Sequence, residues 1–300
     1  MMPDRKISGI LNLNKPQGQT SHRVIAWLRK LSGEQRIGHT GTLDPMASGV
    51  LPVLFGQATR ISRFLSIKDK AYLAVVELGI TTDTYDGEGK IVRRKDYTGI
   101  TPAQVEAALQ SFRGSTEQVP PLFSAIKYKG KHYYELARKG VEIQPKIRRV
   151  HVHSLELVSF ELPLLSLSIE CGSGTYIRSL AHDLGEKLGP GGHLQALIRT
   201  RSGIFRIEEA ISLPQVEAAC REGSWPQLLY PPDYAMRDWD EIALNAAQLK
   251  MLRDGLSIPL PELIPDGRPV RAYDADGHLA ALLKYHDADS GWKHEVLFNP

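Results

Sequence analysis

Three stretches of this chain carry apolar residues at the spacing of one helical face. In the first, Thr20 or Ser21 can cap the helix start, and in the second, Thr101-Pro102-Ala103-Gln104 forms a capping box. The third follows a Gly172-Ser173-Gly174 turn. The apolar positions are Val24, Ile25, Leu28 and Leu31 in the first, Val105, Leu109 and Phe112 in the second, and Ile177, Leu180, Ala181 and Leu184 in the third.

Other stretches show the patterns of strands. Residues 50–55 are a short, continuous apolar run, and residues 71–80 predict a strand that ends in a turn-rich stretch where Asp86-Gly87 indicates a hairpin. From residue 165 to residue 171 apolar side chains alternate with Ser, Ser and Glu, which predicts a half-buried strand. A second hairpin is predicted for residues 270–284.

The order of these elements indicates the fold class. Strands and helices do not alternate regularly, so the sequence favours an α+β fold with a mainly antiparallel sheet over a doubly wound parallel fold. Proline and aromatic residues concentrate at positions 225–240, which predicts a boundary between two domains. We therefore expect a first domain over residues 1–232 and a small β-rich domain over residues 233–300.

Composition limits the possible functions. The 300 residues are 42% hydrophobic and 24% charged, which is typical of a soluble globular protein. We find no long apolar run and no secretion signal, and therefore expect a cytoplasmic protein without a membrane partner. The two cysteines, Cys171 and Cys220, are too few for a disulfide framework and lack the spacing of a zinc site, so we expect no metal.

The positive charge is concentrated in one segment. Residues 126–149 contain eight Lys/Arg and two Glu, a local charge of +6, whereas residues 233–300 contain seven Lys/Arg and twelve Asp/Glu. Tyrosines at 128, 133 and 134 lie among these cations, a combination that can hold RNA phosphates and stack on exposed bases. The pattern alone leaves open whether the segment binds nucleic acid or is an ordinary solvated surface.

Residues 36–51 form a glycine-punctuated loop with one carboxylate, Asp44. Pro45 restrains Asp44 to extended geometry, although Asp-Pro between glycines is also an ordinary turn. Residues 33–40 miss the phosphate-binding P-loop pattern at its lysine, and the segment before them is helical, so we reject a nucleotide hydrolase.

Several motifs occur together in the order known from one enzyme family. On them the chain resembles the bacterial tRNA pseudouridine(55) synthases, the B-type branch of the pseudouridine synthases. The resemblance spans most of the chain, and its weakest part is the tail, which is similar to the PUA module of many members. The motifs are Asn14-Lys15-Pro16-Gln17-Gly18 with Ser21, Gly38-His39-Thr40-Gly41-Thr42-Leu43-Asp44-Pro45 with Ala47 and Gly49-Val50-Leu51, Pro120-Pro121, Ser124-Ala125-Ile126-Lys127, and Gly174-Thr175-Tyr176-Ile177-Arg178.

The resemblance implies an isomerase that needs no cofactor and converts uridine 55 in the T loop of tRNA to pseudouridine. Asp44 would be its catalytic carboxylate, Arg178 the partner of Asp44, and Tyr72 the ring that stacks on the target base. His39, Tyr176 and Leu197 would line the nucleotide pocket, and Lys15 would lie near its floor.

We further expect the chain to bind the T arm of tRNA. The segment of about 120–149 would act as an RNA clamp through Lys127, Lys129 and Lys131, and nothing in the sequence requires a partner chain, so we expect a monomer. Two alternatives stay open: a non-catalytic protein that binds or folds RNA, and a pseudouridine synthase with another RNA target.

Overall fold

The computed structural model describes residues 7–124, 126–128, 130–133, 136, 141, 145–260 and 267–298, without the side chains of residues 127, 128, 131, 132 and 289. Among the described residues, no helix combines the length and the apolar character that crossing a membrane requires.

The described residues form strands and α-helices joined by short 3₁₀ turns. The strands are β1 Gly9–Lys15, β2 Ile37–His39, β3 Ala47–Phe55, β4 Lys70–Leu78, β5 Ile80–Thr82, β6 Ile91–Arg94, β7 Gly114–Gln118, β8 Lys127–Tyr128, β9 Lys131–His132, β10 Arg148–Glu161, β11 Leu164–Cys171, β12 Gly192–Ser202, β13 Phe205–Arg206, β14 Ile211–Ser212, β15 Glu241–Ala243, β16 Val270–Tyr273, β17 Leu279–His286 and β18 Gly291–Leu297. The helices are α1 Ser21–Ser32, α2 Ser62–Ser66, α3 Pro102–Gln110, α4 Ile177–Leu188, α5 Leu213–Arg221 and α6 Ala246–Arg253.

One large sheet organises the chain. Its strands follow the order β14-β1-β3-β12-β4-β11-β10-β7, with β2 added to β3 and β13 added to β12. Neighbours are antiparallel except for β1 with β14 and β3 with β12. The prediction of an α+β fold with a mainly antiparallel sheet is therefore confirmed.

Local sequence patterns explain the elements nearest the site. On β11 the alternate residues from Leu165 to Cys171 are buried, as predicted, because that face of the sheet lies against the core. On α4 the four predicted apolar residues are all buried. Thr20 caps α1 by accepting a hydrogen bond from the Arg23 backbone, and the capping box at Thr101 and Gln104 is formed.

A second, smaller sheet lies at the C-terminal end, with strand order β15-β16-β17-β18. It contains the predicted hairpin, which joins β16 to β17 through residues 274–278. Leu282 and Val296 of this sheet, with Phe298 just after β18, pack in one apolar cluster with Ile10 and Val50 of the large sheet. The β-rich tail is thus confirmed, while a boundary at residue 232 stays a prediction.

One detail of the predicted turns differs in the structure. Strands β5 and β6 do form a hairpin, but residues 83–90 connect them, so Asp86-Gly87 is not a two-residue turn. Of the loop glycines 38, 41 and 49, only Gly49 has a positive φ, at 104°. Its missing side chain allows β3 to approach β12, since a Cβ there would lie 2.3 Å from the Arg199 carbonyl oxygen.

Gly185 provides a test of how closely α4 packs on the sheet. Alanine is favoured over glycine in a helix by roughly 1 kcal/mol, so propensity alone predicts that Gly185→Ala is stabilising. A Cβ at Gly185 would, however, lie 2.1 Å from the Gly192 backbone nitrogen at the start of β12. We expect the clash to dominate and to lower the free energy of unfolding by about 2 kcal/mol in urea denaturation. Gly99→Ala, with nothing within 4 Å of the new methyl group, is the control; equal stability of the two variants would contradict this packing.

Candidate active site

The loop that carries Asp44 joins β2 to β3 and is fixed by the chain's N-terminal motif. The buried Ser21 hydroxyl accepts a hydrogen bond from the Leu43 backbone N–H at 2.9 Å and donates to the Leu43 carbonyl at 3.1 Å. The Gly18 N–H donates to the Pro45 carbonyl at 2.8 Å. Two motifs that are separate in the sequence therefore form one structural unit around Asp44.

Arg178 lies in the first turn of α4 and reaches this loop. Its Nε is 2.9 Å from Asp44 Oδ2, and its Nη2 donates to Asp44 Oδ1 at 3.1 Å. Nη2 also donates to the Phe123 carbonyl at 3.0 Å, and the residue is only 5% exposed. The hydrogen bond from Nη2 and the close ion-pair contact of Nε together hold the carboxylate beside the guanidinium.

Asp86 is a second carboxylate on the same guanidinium, and the sequence analysis missed it. Its Oδ2 lies 3.3 Å from Arg178 Nη1, which also donates to the Thr84 carbonyl at 3.3 Å. Thr84 Oγ1 donates to Asp86 Oδ1 at 2.5 Å. The only sequence signal was the Asp86-Gly87 pair, and an Asp-Gly pair indicates a turn rather than an ion pair.

Burial and charge oppose each other at Asp44. Desolvation raises the pKa of the Asp44 carboxyl above 3.8 and the nearby Asp86 charge adds to the rise, while Arg178 lowers it by charge and by hydrogen bonding. The Asp44 side chain is still 34% exposed, because it faces an open cavity. A carboxylate that is poorly hydrated but well oriented is suited to act as a base or a nucleophile.

The cavity beside Asp44 has a volume of about 480 Å³. Four of the residues that the sequence analysis selected line it together with Asp44: Tyr72 on β4, Leu197 on β12, and Tyr176 and Arg178 at the start of α4. Tyr72 is 8% exposed, and burial raises the pKa of its hydroxyl to about 12, so the ring is neutral. The described lining of the cavity thus combines one acid with aromatic, apolar and cationic side chains.

Arg199 on β12 also lines the cavity, and sequence reasoning did not find it. It is 1% exposed, its Nε donates to the Val50 carbonyl at 2.6 Å, and its Nη2 donates to the Gly41 carbonyl at 3.1 Å. Its hydrogen bond to Tyr72 is one reason why the Tyr72 pKa does not rise further. Arg199 therefore connects the Asp44 loop to the strands that carry Tyr72 and Leu197.

His39 and Lys15 lie near the cavity but outside its described lining. Desolvation, with help from the His22 and Arg199 charges, lowers the His39 pKa to about 4, and neutral Nδ1 accepts a hydrogen bond from the Gly41 N–H at 3.3 Å. The Lys15 ammonium is buried and donates to the carbonyls of Pro16 at 2.8 Å and Gln19 at 2.7 Å. These contacts stabilise the turn that supports the Asp44 loop.

The predicted clamp is described only in part. The backbones of Lys127 and Lys131 lie in the small hairpin of β8 and β9, and Lys129 lies outside the described residues. Ile126 and Arg148, at the two ends of the basic segment, line the cavity. The segment therefore begins and ends at the site.

Comparison with known proteins identifies the family. A model of the N-terminal domain of TruB family pseudouridylate synthases matches residues 29–177, and one of the tRNA pseudouridylate synthase B C-terminal domain matches residues 178–237. The chain is 40% identical over 292 residues to tRNA pseudouridine synthase B of Dehalococcoides mccartyi, covering 97% of each protein. The chain belongs to the TruB family.

Other relatives agree with this TruB assignment. The enzyme of the same name from Syntrophomonas wolfei is 44% identical over 281 residues, covering 92% of this chain and 93% of the relative. Among solved structures, a Cbf5–Nop10–Gar1 complex matches with a TM-score of 0.76 and 27% identity, covering 98% of this chain and 86% of the matched chain. An H/ACA RNP bound to a substrate RNA containing 2′-deoxyuridine matches with a TM-score of 0.73 and 25% identity, covering 97% and 85%.

One group of possible metal ligands occurs in the described part of this TruB-family chain. Asp274, Asp276 and His278 bring their ligand atoms within 4.8 Å of one another on the turn between β16 and β17. This turn is largely exposed and shares no residue with the cavity.

Asp86 offers a test of the ion-pair cluster as a source of stability. Removing one partner of a buried ion pair leaves poorly compensated charge, so Asp86→Ala should lower the free energy of unfolding by about 3 kcal/mol. Urea denaturation followed by circular dichroism measures the change. Asp238→Ala, which removes a surface carboxylate 4.0 Å from Lys68, should cost less than about 1 kcal/mol. If both variants were equally stable, Asp86 would not hold Arg178 in solution.

Proposed function

We propose that this protein converts a uridine in the T loop of tRNA, at position 55, to pseudouridine. The observation that carries the proposal is the carboxylate of Asp44, held by Arg178 at the wall of a cavity that Tyr72 and Leu197 also line. Membership of the TruB family and relatives named tRNA pseudouridine synthase B over nearly the whole chain support the choice of reaction and substrate.

The reaction is an internal rearrangement of one nucleotide. The bond between ribose C1′ and uracil N1 breaks, the base turns, and C1′ bonds to C5 while the C5 proton moves to nitrogen. Atoms and electrons balance without a redox partner, so the chain needs no cofactor for this step. The site must supply a reactive carboxylate and an enclosure that retains the detached uracil.

Each of the residues that line the cavity next to Asp44, and Asp44 itself, has a role in this chemistry. Asp44 acts on the sugar or the base by attack at C6, by attack at C1′, or by removal of the 2′ proton. Arg178 keeps it oriented and ionised, Tyr72 stacks on the uracil, and Leu197 and Tyr176 close the nucleotide pocket. An aromatic face and an aliphatic side chain can hold a flat base while it rotates.

The target base must leave its stack in the T loop to reach Asp44. Extruding a nucleotide costs a few kcal/mol, which cationic and stacking contacts can offset. The clamp of residues 120–149, with Lys127, Lys129 and Lys131, grips the T arm, and the neutral His39 ring helps to hold the RNA open. Lys15 supports the floor of the pocket through the Pro16 and Gln19 carbonyls.

The chain acts as a monomer in the cytoplasm, and its C-terminal sheet is a PUA-like module. A non-catalytic RNA-binding protein is disfavoured, because the Asp44–Arg178 pair opens onto a cavity rather than lying in a sealed core. A synthase with another RNA target would contain the same pair, so the substrate must be tested directly.

Asp44→Asn should reduce pseudouridine formation at least about 1,000-fold, because an amide can act neither as base nor as nucleophile. The affinity for tRNA should stay within about twofold, since Arg178 keeps Asp86 as its partner. Pseudouridine is mapped in unmodified tRNA treated with the purified protein. Asp238→Asn is the matched surface control. Turnover by the Asp44 variant would disprove its role, and modification of a different uridine would disprove the target.

Charge reversal in the clamp should weaken binding without altering the reactive site. Lys127→Glu, Lys129→Glu and Lys131→Glu together should raise the Kd for tRNA at least about tenfold and flatten its dependence on salt, because fewer counterions are released. The same reversal at Lys30, Lys90 and Lys187, all exposed, controls for net charge. Titrations at several salt concentrations give both quantities. Equal losses in the two triple variants would mean that the clamp has no special contact with tRNA.

A further inference from the structure

Two buried cations lie side by side in the cavity wall. Lys70, the first residue of β4, is 7% exposed, and Arg199 is 1% exposed. Both border the same space, since a side chain on Gly41 would meet Lys70 Cε at 3.6 Å and Arg199 Nη1 at 3.7 Å. In the described part of the chain, neither forms an ion pair with a carboxylate.

Contacts within the protein occupy only two of the N–H donors of the Lys70 ammonium. It donates to the carbonyls of Lys68 at 2.7 Å and Ser66 at 3.0 Å, and an ammonium has three N–H donors. Desolvation, followed by the Arg199 charge, lowers its pKa to about 8, so at neutral pH it is charged although burial disfavours the charge. The adjacent Asp69 charge acts in the opposite direction on the Lys70 pKa, with a smaller effect than desolvation or Arg199.

The cavity as a whole has more positive than negative groups. Arg178 is matched by the two carboxylates, Asp44 and Asp86. Among the described residues, the lining residues Lys70, Arg148 and Arg199 form no ion pair with a carboxylate. A buried charge without a counter-charge costs several kcal/mol of stability. If Lys70 served only to donate hydrogen bonds to two carbonyls, an uncharged donor at that position would therefore give a more stable fold.

The substrate can supply the missing negative charge. A uridine that enters the cavity has a neutral base and a neutral sugar, and its phosphodiester groups are the only anions it brings. Lys70 lines this cavity, where its ammonium donates to the Ser66 carbonyl and its side chain lies next to Gly41 of the Asp44 loop. We propose that Lys70, with Arg199 behind it, is the binding site for a phosphodiester group that adjoins the flipped-out uridine.

This inference rests on the proposed function and adds a contact to it. The phosphate provides the counter-charge for both cations, and its position fixes how far the ribose advances toward Asp44. Lys70 is therefore a substrate-binding residue whose contact lies in the RNA backbone and is independent of base identity.

The test combines a change in the protein with a change in the RNA. Lys70→Met keeps the unbranched side chain as far as Cε and removes the ammonium with its charge. It should raise the Kd for an unmodified T-arm stem–loop about tenfold and reduce the slope of log Kd against log salt by about one. Lys70→Arg should recover most of the loss. Lys30→Met, at an exposed position, should change the Kd less than twofold.

The RNA change is a neutral methylphosphonate, placed in turn at the phosphate on either side of the target uridine. At one of these positions, it should weaken binding to the unaltered protein by the same factor as Lys70→Met does. The Lys70→Met protein should then lose less than a further twofold. If both proteins lose the same factor at both positions, or the unaltered protein is insensitive to both, the proposal is overturned.

These experiments distinguish failure of the Lys70 phosphate site from failure of the proposed reaction. Binding is measured independently of turnover, and the unaltered protein is also assayed for pseudouridine. Pseudouridine formation without coupling between Lys70 and a phosphate would refute only the phosphate site, whereas absence of pseudouridine would refute the proposed reaction. The neutral RNA used with the unaltered protein keeps the test decisive even if Lys70→Met folds poorly.

Discussion

The site depends on one guanidinium that is shared by two carboxylates. Arg178 contacts Asp44 in the β2–β3 loop of the large sheet and Asp86 in the connection of the separate two-stranded β5–β6 sheet. A buried arginine costs several kcal/mol in lost hydration, and two carboxylates with two backbone carbonyls are what make its burial tolerable. The same contacts bring the start of α4, the Asp44 loop and the β5–β6 connection to one point, so the charge balance also determines the geometry.

Strand β12 encloses the cluster of Asp44, Arg178 and Asp86. It pairs with β3 on one side and with β4 on the other, so the Asp44 loop and Tyr72 are both anchored to neighbours of one strand. Leu197 contributes an apolar wall from β12, and Arg199 ties the Gly41 carbonyl to the strand. Backbone contact at Gly49 makes this arrangement tight, because any side chain there would strike Arg199.

Sequence patterns predicted the elements whose burial has a simple period. β11 has one face against the core, so its alternation was clear, and α4 has a single apolar stripe. β12 was not predicted, because buried His193 and Arg199 interrupt its apolar positions. The Asp86-Gly87 pair by itself indicates only a turn, because the role of Asp86 depends on an arginine 92 positions away. The resemblance supplied Asp44 and Arg178 as a pair, which no local pattern could do.

Enclosure explains the electrostatics of the cavity. Removing water raises the pKa of Asp44 and lowers the pKa values of Lys15 and Lys70 to about 8, because each charged form loses hydration. An isomerase that detaches uracil needs this dry space, yet its substrate brings an anionic backbone. A wall with buried cations around Asp44 suits both requirements, because an RNA backbone would supply counter-charge to the cations while Arg178 orients the carboxylate. If a phosphodiester group binds at Lys70 as proposed, the excess of positive charge serves RNA binding and is not merely a cost that the rest of the fold must absorb.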